Sequence, residues 1–197
     1  KTLTPSPLLA TAVLGVSTIK LLGSDEQKKI YLPKIVSGEA TTALAIDEGN
    51  HHNPFDIEAT ATLEGDKWTL NGQKVFIIDG ASADFILIVA RTSGKKGESN
   101  GLSVFITDKN SAGLEISQIS TADCRNYANL TMNNLILDEN TLLGEVDIAG
   151  EIVEQVLDHG RIAMASEMLG NTEEAFEITV SYLKERKQFG VLIGSFQ

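Results

Sequence analysis

Cysteine, proline, aromatic residues and positive charge are all scarce in this chain. A single cysteine, Cys124, among 197 residues excludes an internal disulfide and any cysteine-based metal cluster. It suits a reducing compartment, the cytoplasm or one such as the mitochondrial matrix, and reads as a buried apolar filler. Only 16 Lys and Arg stand against 27 Asp and Glu, for a net charge of -11, and the resulting field repels nucleic acid and anionic membrane surfaces. The same field opposes any anionic ligand, so a site for one must depend on local Arg, Lys and backbone N–H groups. No apolar run is long enough to span a bilayer. Leu8 to Leu22 is apolar, but Thr11, Ser17, Thr18 and Lys20 interrupt it and no small-residue cleavage site follows, which makes it a core helix rather than a signal peptide. Also missing are a Gly-x-Gly-x-x-Gly fingerprint, a phosphate-loop Gly-Lys-Ser/Thr and a Gly-x-Ser-x-Gly hydrolase elbow.

What is present is a chain with 42% hydrophobic residues, enough for a real core in one or two domains. Ser6-Pro7 suits the start of a helix that Gly23 ends, and Ser24-Asp25-Glu26-Gln27 matches a capping box opening a shorter second helix that Pro33 kinks or ends. From Thr41 the periodicity turns to short β-type runs: 41–46, 56–64, 67–78, 85–91, 102–107, 114–119 and 127–137. Asn71-Gly72 tolerates the positive φ of a tight turn and predicts a hairpin between Trp68-Leu70 and Val75-Ile77. A second turn is expected at Asp79-Gly80. Phe85 to Ala90 is a continuous apolar run, covered on both faces. The stretch 93–101 reads as an exposed, mobile loop. From Ile148 a helical stripe runs through Ile152, Val156, Ile162 and Leu169 to a stop at Gly170, after which Asn171-x-x-Glu174 caps a further helix. Helices, then strands, then helices define an α+β class: a compact β-barrel or sandwich flanked by helical segments. The boundaries fall at 1–39, 40–146 and 147–197. The chain starts without Met and stops inside a helical pattern, as expected of a piece of a longer protein.

The run Gly65-Asp66-x-Trp68-x-Leu70-Asn71-Gly72-x-Lys74-x-Phe76-Ile77-x-x-Gly80-x-x-Ala83-Asp84 resembles the middle β-domain of the acyl-CoA dehydrogenases. The resemblance continues upstream over Glu26 to Glu39 and downstream over Leu157 to Gly170 and Tyr182 to Gln197. It implies an oxidoreductase of acyl-CoA metabolism in which FAD lies extended between the β-domain and the C-terminal helices, completed by a helix of a neighbouring subunit in a homo- or hetero-oligomer. The cofactor segments match Ile46 and Asp47 at the end of the first strand, Phe76, Ile77 and Ile78 against the flavin ring, and Arg186, Phe189 and Gln197 reaching the neighbouring subunit's FAD. A guanidinium pairs bidentately with pyrophosphate. Asn53, Asp158 and Arg161 match substrate-contacting positions. In the first cofactor segment, where the family reads roughly Thr/Ser-Glu-Pro-x-x-Gly-Ser-Asp, this chain has Asp47-Glu48-Gly49-Asn50-His51-His52-Asn53, and only Glu48 is kept. In the second, a threonine hydroxyl has become Ile78.

The reaction the resemblance implies is α,β-dehydrogenation of an acyl-CoA thioester: a carboxylate removes the α-proton, the β-hydride passes to the flavin, and electron-transfer flavoprotein or a similar acceptor reoxidises it. That carboxylate stands in later helices in most members, or just before the position of Arg161 in some; here that place holds Gly160. The 197 residues are therefore expected to lack a catalytic base and to be inactive alone. Without the resemblance, Phe76-Ile77-Ile78 would be ordinary strand core and Asp158–Arg161 a surface salt bridge. The adjacent His51 and His52 point different ways with no third ligand nearby, so no metal site is assigned, and His159 reads as a plain helix residue. The alternative from another class is a flavin-poor, non-catalytic subunit that kept the fold and the assembly surface.

Overall fold

The computed structural model of the protein describes residues 6–123 and 125–196; Cys124 and Gln197 lie outside the described residues. The described chain forms two compact units, one of Ser6–Gly160 and one from Arg161 onward.

In the first unit, a π-helical stretch, Leu8–Gly15, runs into α1, Val16–Leu22, which ends at the extended Gly23. Gly15 allows close approach to the first strand, since a Cβ there would stand 1.8 Å from Thr42 Oγ1. Thr11 Oγ1 completes the junction by donating to Thr42 O and accepting from Thr42 N, both at 3.1 Å. The helix α2, Asp25–Val36, opens with the expected capping box, Gln27 N donating to Ser24 Oγ and Ser24 N to Gln27 Oε1. Pro33 lies inside α2 and does not end it.

Eight strands follow: β1 (Thr42–Ala45), β2 (Thr60–Glu64), β3 (Lys67–Ile78), β4 (Phe85–Arg91), β5 (Leu102–Asp108), β6 (Leu114–Ile119), β7 (Tyr127–Asp138) and β8 (Leu142–Leu143). They form one hydrogen-bonded path, β6-β7-β3-β2-β4-β5-β8, with β1 branching from β4 as a parallel neighbour. The architecture is α+β. Ile86 to Ala90 are fully buried, as the unbroken apolar run requires of a strand covered on both faces.

The Asn71-Gly72 hairpin does not form. The chain reverses instead at Gly65-Asp66, between the paired Glu64 and Lys67, with Gly65 at φ 65°. β3 then runs unbroken through Asn71-Gly72, where its register with β7 shifts. The extra residue at that shift lies on β7, where Asn134 is left-handed at φ 49°; Gly72, opposite it, sits at φ 136°, and a Cβ there would come within 2.7 Å of Ala59 Cα. Asn71 Oδ1 meanwhile accepts from Asn134 N at 2.8 Å. The strand expected from Asp56 begins only at Thr60, because the amides of Glu58 and Ala59 donate to the Glu48 carboxylate rather than to a ladder.

The helix α3, Ala149–Glu185, is continuous over 37 residues and crosses the boundary between the units. The expected stop at Gly170 is absent: Gly170 keeps helical geometry rather than the left-handed turn that ends many helices, and α3 runs through it. Asn171 accordingly caps nothing. Ala149, Gly150, Val153 and Val156 of its first part are buried. In the second unit α3 leads into a hairpin, β9 (Lys187–Gln188) and β10 (Val191–Leu192), turning at Phe189 (φ 51°) and Gly190 (φ 81°). A 3-10 turn, Ile193–Phe196, follows where a helical pattern was expected.

Candidate functional site

The end of β1 and the middle of β3 are laced together. Val75 N donates to Asp47 O at 2.7 Å. From the preceding residue of β3, the wholly buried Lys74 extends its ammonium to the residues flanking Asp47, donating to Ile46 O at 3.0 Å and Glu48 Oε1 at 2.6 Å. Glu48 also accepts the amides of Glu58 (2.7 Å) and Ala59 (3.0 Å), so one buried ion pair ties the ends of β1 and β2 to β3. Burial lowers the Lys74 pKa from 10.5 to about 8, against the opposing pull of the Glu48 carboxylate and, more weakly, Asp47. Trp68, Leu70 and Lys74 occupy alternate inward positions of β3; residues 75–76 then form a second bulge, after which Ile77 faces the core.

Phe76 is the exposed product of that bulge. Its backbone is left-handed, φ 56°, its amide donates to Asn129 Oδ1 at 3.1 Å, and its ring leans on Tyr127 with centroids 4.6 Å apart. A non-glycine residue held there costs on the order of 1–3 kcal/mol and persists only where its surroundings over-determine it. With 56% of its surface exposed, Phe76 is not the strand core that pattern alone would assign. Ile77 is core, 3% exposed, and Ile78 is half-buried. Asp79, also left-handed at φ 58°, has its carboxyl raised by burial, with Arg125 opposing.

The carboxylate of Asp47 is already engaged: His52 Nδ1 lies 2.9 Å from Oδ2, and Asn53 N donates to Oδ1 at 3.2 Å. His52 is thus a partner of Asp47 within the loop, and Asn53 contributes its backbone. Beside this loop a cleft of about 160 Å³ is lined by Glu48, Asp56, Glu58, Gln73 and Lys96 among others. It is too small for a dinucleotide and too acidic for a phosphate.

Asp158 and Arg161 both lie exposed on α3. His159 Nδ1 pairs with Ser17 Oγ at 2.9 Å. At Gly160 a Cβ would come within 2.9 Å of Leu14 Cδ2, so a carboxylate there would have to displace a core leucine. In the second unit Arg186 anchors the hairpin through its backbone, its amide donating to Tyr182 O and its carbonyl accepting from Ile193 N, both at 2.9 Å. Phe189 stands 92% exposed at the turn. Gln197 lies outside the described residues.

Sequence reasoning missed the roles of three residues. Lys74 and Glu48 escaped because a lysine in a strand is ordinarily solvated; the available signal was its place in the inward alternation of Trp68 and Leu70. Arg91 is the third: its guanidinium donates to the carbonyls of Phe55, Ile57, Ser93, Glu98 and Asn100. The 93–101 loop is exposed as expected, yet it is pinned from beneath.

Comparison with known proteins agrees with this geometry. The family model "Acyl-CoA dehydrogenase, middle domain" matches residues 43–138, and "Acyl-CoA dehydrogenase, C-terminal domain" matches 150–197. The short-chain specific acyl-CoA dehydrogenase of Clostridium acetobutylicum is 34% identical over 194 residues, covering 96% of this chain and 51% of that protein. Among solved structures, butyryl-CoA dehydrogenase from Megasphaera elsdenii superposes with a TM-score of 0.90 at 30% identity, covering 97% of this chain and 51% of that one. The FAD complex of PigA gives 0.90 at 28% identity, with the same coverage of each chain. The chain spans about half the length of the relatives it matches. Together with the β-domain, these matches establish that the chain belongs to the acyl-CoA dehydrogenase family.

Proposed function

We propose that the protein of which this chain is a part binds FAD and dehydrogenates an acyl-CoA thioester between its α and β carbons. The observation that carries the reading is Phe76, a solvent-facing aromatic in a strained backbone conformation, mounted on a buried ion pair where the family places its flavin. A planar, largely apolar ring system fits such a face. Bound there, FAD would supply the hydride acceptor. The chain's own residues would bind and orient it: Phe76 and Ile78 through their exposed surfaces, Ile46 and Ile77 through backbone geometry, and Asp47 at the polar edge. Arg186, Phe189 and Gln197 would serve the cofactor of a neighbouring subunit, Arg186 by pairing with pyrophosphate. Asn53, Asp158 and Arg161 would contact acyl-CoA. No group in the described site is poised to take the α-proton, so the base would come from outside these residues. Electron-transfer flavoprotein or a similar acceptor would complete the cycle. No helix among the described residues is long and apolar enough to cross a membrane; the cytoplasm or mitochondrial matrix suits the single cysteine.

One observation favours the second reading, a flavin-poor subunit of a similar assembly. Asp47 offers only acceptor oxygens, already bonded to His52 and Asn53, where a donor would better meet the charge of a reduced flavin. The visible spectrum of the purified full-length protein decides between them. The first reading expects a yellow protein with one flavin per chain, or an apoprotein that takes up added FAD with Arg186→Ala weakening uptake by ~1.5–3 kcal/mol. A colourless protein that refuses FAD would establish the second.

A further inference from the structure

A buried lysine that must be kept charged is costly, and this one sits under the proposed ligand face rather than in the middle of the core. Lys74 reaches past Asp47 on both sides, to Ile46 O and Glu48 Oε1, while Val75 N holds the carbonyl of Asp47 itself. The segment that carries the half-buried Asp47 and the strand that carries the exposed Phe76 are therefore tied by three contacts, two from one ammonium and the third from the adjoining Val75 amide. We infer that Lys74 is a positioning residue: its charged side chain, gripping Ile46 and Glu48, holds Asp47 and the Phe76 bulge in the geometry that receives the ligand, and this pair is retained for that geometry rather than for global stability. The inference rests on the FAD reading for its ligand, although the geometric part stands without it.

The energetics support a positioning role. Desolvation is the largest influence on Lys74, pulling its pKa to about 8, so the folded protein gives up this proton well before the unfolded chain does near 10.5. The unfolded state then binds more protons between about pH 8 and 10.5, and linkage makes this group's contribution to stability rise with pH across that window. An opening that frees the Ile46–Glu48 segment while Lys74 stays buried has the opposite sign, because the neutral amine leaves the Glu48 carboxylate without its counter-charge and grips Ile46 O more weakly, so less is lost on opening. The charges facing Lys74 are Glu48 and Asp47 from the segment after β1 and Arg91 from β4. His52 faces Asp47 in turn, while the Glu58 carboxylate turns away to Lys96. Replacing a buried ion pair by neutral groups of similar shape is often harmless to stability, so the two roles are separable.

The test uses the full-length apoprotein, wild type and the double variant Lys74→Met with Glu48→Gln, which leaves no lone buried charge. Amide exchange at Val75 and Phe76, corrected for intrinsic chemical rates, is followed from pH 7 to 9.5 beside the melting temperature, and the FAD dissociation constant is measured at pH 7. The variant is expected to melt at or above the wild-type temperature. Its Val75 protection should fall at least tenfold and its FAD affinity a further tenfold. Wild-type protection should fall similarly between pH 7 and 9.5. Wild-type values of protection and affinity in a folded variant would overturn the inference. Should the variant not fold, wild-type protection that stays flat to pH 9.5 would do the same. A wild-type protein that binds no FAD at all overturns the proposed function, and the exchange measurement still decides the role of Lys74.

Discussion

The first turns of α3 and its distal half carry the same kind of apolar stripe and have opposite burial. Val153 and Val156 are 1% and 0% exposed, whereas Leu169 and Phe176 are 71% and 67% exposed. Ile162, Met168, Ile178 and Tyr182 are exposed as well. Helical spacing says that a face is apolar; it does not say what covers it. In the unit 6–160 the cover is present: Val153 and Val156 belong to the buried apolar cluster that also holds Leu14, Ile19 and Leu22. In the unit from 161 onward the stripe has no cover among the described residues.

The largest test of the contrast is a pair of truncations in the 197-residue chain. Phe105, fully buried with its ring edge-on to Trp68 at 5.1 Å, leaves a cavity when cut to alanine, and Phe105→Ala should destabilise by ~3–5 kcal/mol. Phe176→Ala should change stability by less than about 0.5 kcal/mol. Urea denaturation of both measures this, and a loss above about 1 kcal/mol at Phe176 would show that its face is covered after all.

Gly72→Ala is expected to cost less, about 2 kcal/mol, by adding backbone strain at φ 136° to a clash with Ala59 Cα. It sharpens the contrast because Gly170, where an added methyl would meet nothing within 4 Å and the backbone is ordinary helix, should gain stability on the same substitution, by up to ~1 kcal/mol. Equal effects at the two glycines would mean that close packing does not distinguish the two regions.

The same contrast explains what could be read in advance. Runs whose periodicity expressed burial against the rest of the chain were legible: β4 as a double-covered strand, the Ser24–Gln27 box, the order of helices and strands. Asn71-Gly72 was misread because positive φ is a local permission that a bulge and a turn share, and only the partner strands choose between them. Gly170 was misread because a glycine permits a helix to stop without making it stop. Within the candidate site, Phe76 and Asp47 were named through the family resemblance, and the physics beneath them was hidden. Lys74 and Arg91 look like solvated cations in sequence, and only the fold brings carbonyls and Glu48 to them. The partner His52 finds in Asp47 lies five residues away across an irregular loop, a separation that carries no periodic signal.

The smallest effect concerns how firmly the packed unit is fixed at its edges, where burial no longer dominates. Asp84, at the entry to β4, accepts from Thr41 N at 2.9 Å and Thr41 Oγ1 at 3.1 Å through one oxygen, and from Lys109 Nζ at 3.2 Å through the other. The Thr41 amide is the main reason its carboxyl is held below the ordinary value of 3.8, with Lys109 adding to it and partial burial opposing. A depressed carboxyl binds its proton less readily in the folded than in the unfolded state, so its stabilisation is complete above about pH 4 and is lost as pH falls through 3.8 and below. Solvent exposure keeps this contribution small. Asp84→Asn should lower the melting temperature slightly at pH 6, and the gap between variant and wild type should close as pH drops toward 2.5, because protonation removes from the wild type what the substitution has already removed. A gap that stays constant from pH 6 to 2.5 would assign the effect of Asp84 to shape alone. It would leave the edge of β4 held, like the core beneath it, by packing rather than by charge.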